Sequence, residues 1–230
     1  MNQLPPPQRP ARLSIYAREA LEGLQGRAVA SEVVIGGGIA LAHYVEYRET
    51  HDLDAWWATA PSPAALATML EVMSEIATRH GLELRQRSWG ETESLELLDD
   101  GRKVFSLQIA ARDRYLDTPV ATSWPPVRLE SLHDNIASKM IALVERAAPR
   151  DFQDIHAVCQ ARLISDEGCW ACYLAKNPDH DIATAQNKIL HSLERLEMRR
   201  PLEMIESATA REQARRVRGW FRDVFCRRPS

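Results

Sequence analysis

Apolar positions recur at helical spacing in parts of the first half of the chain and alternate with polar ones in others. The helical pattern predicts helices over residues 11–25, 39–47 and 63–80, the last of them bounded by Ser62 and Gly81. The short apolar or alternating runs predict strands over residues 33–35, 52–57, 82–87, 93–98 and 103–110. Asp99, Asp100 and Gly101 are typical of a hairpin turn between the last two strands. This mixture predicts a mixed sheet with flanking helices.

The pattern changes after Trp124-Pro125-Pro126, and from Leu129 onward it is almost entirely helical. The first predicted helix covers residues 129–147. Two more begin near Arg150 and at Ser165, and the last two cover residues 181–196 and 208–225. We therefore predict an α+β protein with an α/β domain over residues 1–125 and a helical domain over residues 126–230.

Composition narrows the function classes only moderately. With 45% hydrophobic and 27% charged residues, the chain has the composition of an ordinary globular protein. Its formal net charge of −3 gives no global attraction to nucleic acid, so any such contact has to be local. No apolar run reaches the ~18 residues of a membrane span, and the first residues lack the apolar segment of a secretory signal. We expect a cytoplasmic protein without a membrane partner.

The segment from Val33 to Trp57 carries the first candidate chemistry. A buried strand leads into Gly36-Gly37-Gly38 and a helix, and a second strand opens with Asp52 and Asp54. Two carboxylates two residues apart on a strand share one face, and this arrangement favours a bound cation between the like charges. A glycine turn before a helix can admit phosphates. The alternatives at this stage are an ordinary tight turn and a solvated strand edge.

A second constellation lies in the helical half. Lys139 and Arg146 share one helical face, and Asp151 and Asp154 share a face of the next helix. A lysine can meet a triphosphate, and an acid can hold that lysine or orient a nucleophile. A salt-bridge network between two helices at the surface is the alternative interpretation.

These two segments resemble motifs of a known family. The stretch GGGIALAHYVEYRETHDLDAWW is similar to the first motif of the AbiEii/AbiGii-type toxin nucleotidyltransferases, a branch of the polymerase-beta-like superfamily. That motif has two glycines, a fixed interval and Asp-x-Asp, with Arg-x-Ser/Thr just before the first aspartate. The segment from Lys139 to Asp154 resembles the family's later motif, in which a lysine precedes an Arg-Asp-x-x-Asp helix.

The resemblance implies transfer of a nucleoside monophosphate from an NTP, with Mg²⁺, to a hydroxyl of RNA or protein. Many relatives are toxins of toxin–antitoxin pairs and some modify the acceptor end of tRNA, so tRNA or another RNA and a cognate antitoxin are expected partners. The implied catalytic residues are Asp52, Asp54, Lys139, Asp151 and Asp154, the first two as Mg²⁺ ligands. The implied nucleotide-binding residues are Gly37, Gly38, Arg48, Thr50, Lys139 and Arg146, with Asp151 or Asp154 supporting Lys139.

One position departs from the superfamily pattern. A third carboxylate is expected on a later strand, but Gln108 stands there between Leu107 and Ile109. A neutral amide cannot act as a base and is a poor ligand for a second metal ion. Three explanations stay open: a one-metal enzyme, another acid such as Asp113, or a catalytically silent nucleotide-binding or regulatory module.

The C-terminal run from Arg211 to Arg228 is basic, with seven arginines against Glu212 and Asp223. An RNA-facing patch is one interpretation of this run. The solvated face of a docked terminal helix is the other.

Overall fold

The computed structural model describes residues 5–112 and 114–227. Within it the chain forms two compact units, one ending at Asn135 and the other beginning at Ile136. The domain boundary that the sequence predicts, between residues 125 and 126, lies slightly earlier and stays a prediction.

A mixed sheet of seven strands forms the centre of the first unit as far as the described residues show. The strands are β1 (Val33–Ile35), β2 (Asp52–Trp57), β3 (Glu83–Trp89), β4 (Thr92–Asp99), β5 (Arg102–Ala110), β6 (Val120–Ala121) and β7 (Arg128–Leu129). Their order across the sheet is β3-β4-β5-β2-β1-β7-β6. Strand β2 pairs antiparallel with β1 and parallel with β5, so it lies at the centre. The predicted α+β class with a mixed sheet and flanking helices is confirmed.

Strand β2 has one apolar and one polar face. Leu53, Ala55 and Trp57 are buried in the hydrophobic core, together with residues of α1 (Ile15–Leu24) and α3 (Pro63–His80). Because side chains alternate along a strand, Asp52 and Asp54 point to the opposite face. The helices therefore cover one side of the sheet and leave the acid pair on the other.

Local signals in the sequence locate several ends correctly. The Ser62 hydroxyl accepts a hydrogen bond from the Ala65 amide at 3.2 Å, and Gly81 ends α3 with a φ of 66°. In the β4–β5 hairpin, Asp100 and Gly101 have φ values of 46° and 75°, the left-handed pair that a two-residue hairpin turn requires.

Two predictions in the first unit are wrong. The helix after the glycine turn, α2, covers Gly37–Ala42 rather than residues 39–47. The helix predicted from residue 129 is preceded by β7, and α4 covers Leu132–Glu145. Leu129 instead pairs with Ile35 of β1, so a long-range hydrogen-bonded ladder prevails over the local helical pattern.

The second unit is helical throughout its regular structure. After α4 it contains α5 (Pro149–Gln160), α6 (Asp166–Lys176), α7 (Ile182–Arg199) and α8 (Ala208–Trp220), followed by a π-helical turn at Phe221–Phe225. Phe221 packs edge-on against Phe152 at 4.9 Å, and Phe225 stacks on Trp170 at 5.1 Å. Among the described residues, none of the helices combines the length and apolarity needed to cross a membrane.

Candidate active site

The acid pair begins β2. The Ser106 hydroxyl donates a hydrogen bond to the Asp52 carboxylate at 2.8 Å, and the Lys103 ammonium lies 3.7 Å from the same oxygen. The Asp52 side chain is 38% exposed, so a ligand from solvent can reach it. A cationic group already balances part of the charge at this position.

Strand β5 carries the position at which the superfamily has its third acid, and this strand is the neighbour of β2. Because β5 runs parallel to β2, Ser106 pairs with Asp52 and Gln108 pairs with Asp54. Gln108 therefore lies directly beside the second aspartate, where it offers a carbonyl oxygen and no negative charge. The other suggested acid, Asp113, lies outside the described residues.

The polar face continues onto β4 with a carboxylate that the sequence did not single out. Glu96 pairs with Ser106 in the β4–β5 ladder, and its side chain is 9% exposed. An Arg85 guanidinium nitrogen lies 2.8 Å from the Glu96 carboxylate. Asp52, Ser106, Glu96 and Arg85 thus form one transverse row across the sheet. Only the strand register reveals this row, because the four residues are far apart in sequence.

The three glycines of the turn lie directly against side chains of β2 and of the segment before it. A Cβ added to Gly37 would lie 2.8 Å from Asp54 Cγ, and one added to Gly38 would lie 2.9 Å from Thr50 Oγ1. Gly37 also has a φ of 60°, which disfavours any other residue. The glycines are therefore needed for close approach to the acid pair as well as for the turn itself.

A buried glutamate holds the turn from behind. The Gly37 amide donates to Glu130 Oε1 at 3.1 Å, and the Trp56 indole N–H donates to Glu130 Oε2 at 3.2 Å. The Asn135 amide donates to the Gly37 carbonyl at 2.9 Å and to Glu130 at 2.5 Å. The Gly37 N–H is thus directed at Glu130 in this structure. Glu130 and Asn135 have no exposed surface, and neither was predicted from the sequence.

Arg112 completes this buried network. Its guanidinium forms an ion pair with Glu130 and lies 4.8 Å from the centroid of the Trp56 ring. It also lies 5.0 Å from the centroid of the Tyr115 ring, and burial raises the pKa of Tyr115 to about 12. Contacts with two aromatic rings and an ion pair with a buried carboxylate fix the position of the guanidinium.

The side chains of Arg48 and Thr50 lie close to Gly38 of the glycine turn. An Arg48 guanidinium nitrogen is 3.3 Å from Thr50 Oγ1, and Arg48 Nε donates to the Tyr47 hydroxyl at 3.0 Å. Thr50 is 7% exposed. Their proposed role in nucleotide binding stays a prediction.

In the second unit, Lys139 contacts Asp154 rather than Asp151. The Lys139 ammonium is 2.5 Å from Asp154 Oδ2, and the Asp154 side chain has no exposed surface. Burial raises the pKa of Asp154 to about 8, while the adjacent ammonium acts in the opposite sense because it stabilises the carboxylate. The ion pair favours Asp154 over Asp151 as the residue that supports Lys139, and the role of that support stays a prediction.

Asp151 has a different partner. Arg146 donates to both of its carboxylate oxygens, at 2.9 and 2.7 Å, and the Ala148 amide donates to it at 2.8 Å. Asp151 thus caps the first turn of α5 and holds Arg146, whose side chain is 52% exposed. Both aspartates are fully buried, so neither ion pair is exposed on both sides, although Arg146 itself reaches the surface.

The donor set on β2 fits one Mg²⁺ ion. Among the described residues, no group of three or more His, Cys, Asp or Glu side chains is arranged to hold a metal ion. Asp52 and Asp54 are two hard oxygen donors on one face, and Mg²⁺ is commonly held by one or two carboxylates plus water and substrate phosphate. A second ion would need a further carboxylate where Gln108 stands.

The C-terminal arginines are partly committed to structure. Arg218 is 7% exposed and donates to the Arg200 carbonyl at 2.8 Å, and Arg222 forms an ion pair with Glu197. Arg211 donates to the Ile205 carbonyl at 2.8 Å. Arg228 lies outside the described residues. These contacts favour the docked terminal helix over a continuous RNA-facing patch.

An Asp-x-Asp strand beside a glycine turn on a mixed sheet is the site arrangement of a nucleotidyltransferase. Comparison with family models supports this class, because residues 19–221 match the model described as "Nucleotidyl transferase AbiEii toxin, Type IV TA system". The chain belongs to this AbiEii family. The membership confirms the resemblance found in the sequence and supports a transferase as the class of enzyme.

Comparison with solved structures includes the crystal structure of the Megavirus polyadenylate synthase, with a TM-score of 0.38 and 10% sequence identity. The match covers 77% of this chain and 38% of that one, so the chain spans less than half of the viral protein's length. No curated protein matches the sequence.

Proposed function

We propose that the protein transfers a nucleoside monophosphate from an NTP to a hydroxyl group of an RNA, with a tRNA-like acceptor as the leading candidate over a protein. The observation that carries the proposal is the contact between the glycine turn and the acid pair, in which Gly37 leaves no room for a side chain beside Asp54. This arrangement supports the approach of a polyphosphate to two carboxylates.

The proposed reaction forms one bond and breaks another at the α-phosphorus. The acceptor oxygen bonds to that phosphorus, the bond to the β-phosphate oxygen breaks, and pyrophosphate leaves. The hydroxyl proton passes to solvent, because the amide of Gln108 cannot accept it. Asp52 and Asp54 would hold Mg²⁺, which when bound neutralises charge on the phosphate oxygens.

The remaining residues have binding and positioning roles in this proposal. Arg48 and Thr50 lie beside Gly38 and would contact the triphosphate. Lys139 would contact phosphate, and buried Asp154 fixes its ammonium. Asp151 has an indirect role through Arg146. The proposed partners are the NTP, the RNA acceptor and a cognate antitoxin in the cytoplasm.

A catalytically silent nucleotide-binding or regulatory module is the second candidate. The observation that favours it is Gln108, which lies at the same level as Asp54 on the adjacent strand. Such a module would bind NTP with Mg²⁺ and transfer nothing.

The two candidates are separated by incubating the protein with each α-labelled NTP, Mg²⁺ and total RNA, and measuring label in RNA and in protein. We expect label in RNA, and its loss in Asp52→Asn with Asp54→Asn. Nucleotide binding without any label transfer would establish the silent module instead.

A matched control keeps the fold constant. Asp99→Asn with Asp100→Asn also removes two neighbouring carboxylates, but from the exposed β4–β5 turn. This variant should retain full transfer. Metal-dependent nucleotide binding that survives in Asp52→Asn with Asp54→Asn would remove the proposed site altogether.

A further inference from the structure

The second unit has a basic groove that the proposed active-site chemistry does not use. It encloses about 490 Å³ between the α4–α5 connection and the C-terminal half of α7. Its charged lining residues are Arg146, Arg195, Arg199, Arg200 and Glu145. Four arginines against one glutamate give this groove a net charge of +3, in a chain whose formal net charge is −3.

Three of these arginines are exposed and have no acidic partner among the described residues: Arg195, Arg199 and Arg200. Nearby Glu197 is already committed to Arg222. Exposed guanidinium groups that no carboxylate neutralises are suited to phosphate, which they can bind through two parallel hydrogen bonds. The positive charge in this groove is therefore available to a ligand.

The positions of the arginines are set by packed elements rather than by a loose loop. Arg195 and Arg199 are four residues apart on α7, so they project from one face about 6 Å apart along the axis. Arg146 is held across the groove by buried Asp151. The Arg200 carbonyl accepts a hydrogen bond from Arg218 at 2.8 Å, which fixes the backbone at the end of α7.

The lining favours a sugar–phosphate backbone over a whole nucleotide. None of the residues that line the groove is aromatic, so it offers no platform on which a base can stack. The other lining side chains are small or aliphatic, with one hydroxyl at Ser192. Charge without base recognition is the pattern of a site that binds phosphates irrespective of sequence.

We infer that this groove of Arg146, Arg195, Arg199 and Arg200 binds the phosphodiester backbone of the RNA acceptor. The inference rests on the proposed function in naming RNA as the acceptor, and it adds where the second unit holds that RNA. Arg195 and Arg199 carry most of the interaction because both are exposed on one face of α7.

The test is equilibrium binding of fluorescein-labelled polyuridylate RNA and of bulk tRNA, followed by anisotropy over a range of salt concentrations. The variant is Arg195→Ala with Arg199→Ala, and Arg195→Glu with Arg199→Glu is the stronger form. The matched control is Arg12→Ala with Arg18→Ala, which removes two exposed arginines of the first unit that likewise form no ion pair among the described residues. Far-UV circular dichroism and thermal unfolding check the fold of each variant.

We expect the alanine variant to bind both RNAs more weakly and to reduce the slope of log K against log salt by about 1.5, since each phosphate contact contributes about 0.7–0.9. The glutamate variant should lose binding, and the control should keep the wild-type slope. An unchanged slope in the folded alanine variant would overturn the inference.

Two further binding experiments distinguish RNA from other negatively charged ligands of the groove. A fluorescent ATP analogue with Mg²⁺ should bind the variant and the wild type equally, and loss of that binding would assign the groove to a triphosphate instead. Polyglutamate that competes as well as polyuridylate would assign it to an acidic protein. If the wild type transfers no label but its RNA binding still depends on Arg195 and Arg199, the proposed function is refuted and the inference that the groove binds RNA is supported.

Discussion

Replacement of Glu130 tests whether the glycine turn depends on the buried network behind it. Glu130 accepts hydrogen bonds from Gly37, Trp56 and Asn135 and forms an ion pair with Arg112. The Glu130 side chain itself has no exposed surface. In Glu130→Gln the shape of the side chain is kept, but the negative charge is lost and an amide N–H₂ faces donors. We expect the turn to move and the first unit to lose stability.

The magnitude follows from the burial of the partner. The Arg112 side chain is only 8% exposed, and its other acid, Asp134, lies 3.9 Å away. Removal of one member of a buried ion pair costs about 3–5 kcal/mol, and the more distant Asp134 compensates only part of the buried Arg112 charge that remains. Since the glutamine still accepts one hydrogen bond, we expect a loss of about 3 kcal/mol in the free energy of unfolding.

A double-mutant cycle isolates the pair. Arg112→Met alone should also be destabilising, since it leaves the Glu130 carboxylate buried. The double variant should cost less than the sum of the two single variants by about 1–3 kcal/mol, because neither charge is then left alone. Urea unfolding followed by circular dichroism measures each corner, and the exposed Glu91→Gln serves as the control.

The functional readout is nucleotide affinity. If Glu130 holds the Gly37 backbone in place, Glu130→Gln should weaken Mg²⁺-dependent nucleotide binding while the folded fraction stays high at low temperature. A free energy of unfolding within about 0.5 kcal/mol of the wild type would refute this account, since a side chain that matters so little cannot position the turn.

The remaining predictions concern the space and the charge around the acid pair. Gly37→Ala should abolish transfer, and it should destabilise the fold well beyond the ~1–2 kcal/mol of left-handed strain because its Cβ would meet Asp54. The control is Gly26→Ala, since Gly26 has a φ of 76° and nothing within 4 Å of an added Cβ. In the same urea assay this control should cost only the strain. Lys103→Gln should lower the Mg²⁺ concentration that half-saturates nucleotide binding by about twofold to fivefold, because the exposed ammonium competes for Asp52. A higher Mg²⁺ requirement would instead assign Lys103 to substrate phosphate.

Local sequence signals predicted what local interactions determine. The Ser62 cap, the Gly81 end of α3 and the Asp100–Gly101 turn each depend on a few neighbouring residues, and the structure has them as predicted. The same holds for β2, whose alternating pattern places Asp52 and Asp54 on one face. The acid pair was therefore visible before any fold was known.

The interactions that surround the pair depend on long-range order and were not visible. Glu130 reads as an ordinary acid near a helix start, and only the parallel pairing of β7 with β1 places it under the glycine turn. Likewise, the register of β5 is needed to set Gln108 beside Asp54 and Ser106 beside Asp52. Buried polar residues resemble surface ones in sequence, because their partners come from distant segments.

The fit between the glycine turn and the residues opposite it also constrains how this site can diverge. Gly36 faces Trp56, Gly37 faces Asp54 and Gly38 faces Thr50, each at a distance that excludes a Cβ. A larger residue in the turn is tolerable only when the facing residue becomes smaller. Homologues should therefore change Gly36 or Gly38 together with the facing residue, whereas Gly37, with a φ of 60°, should stay glycine even in a homologue that lost Asp54.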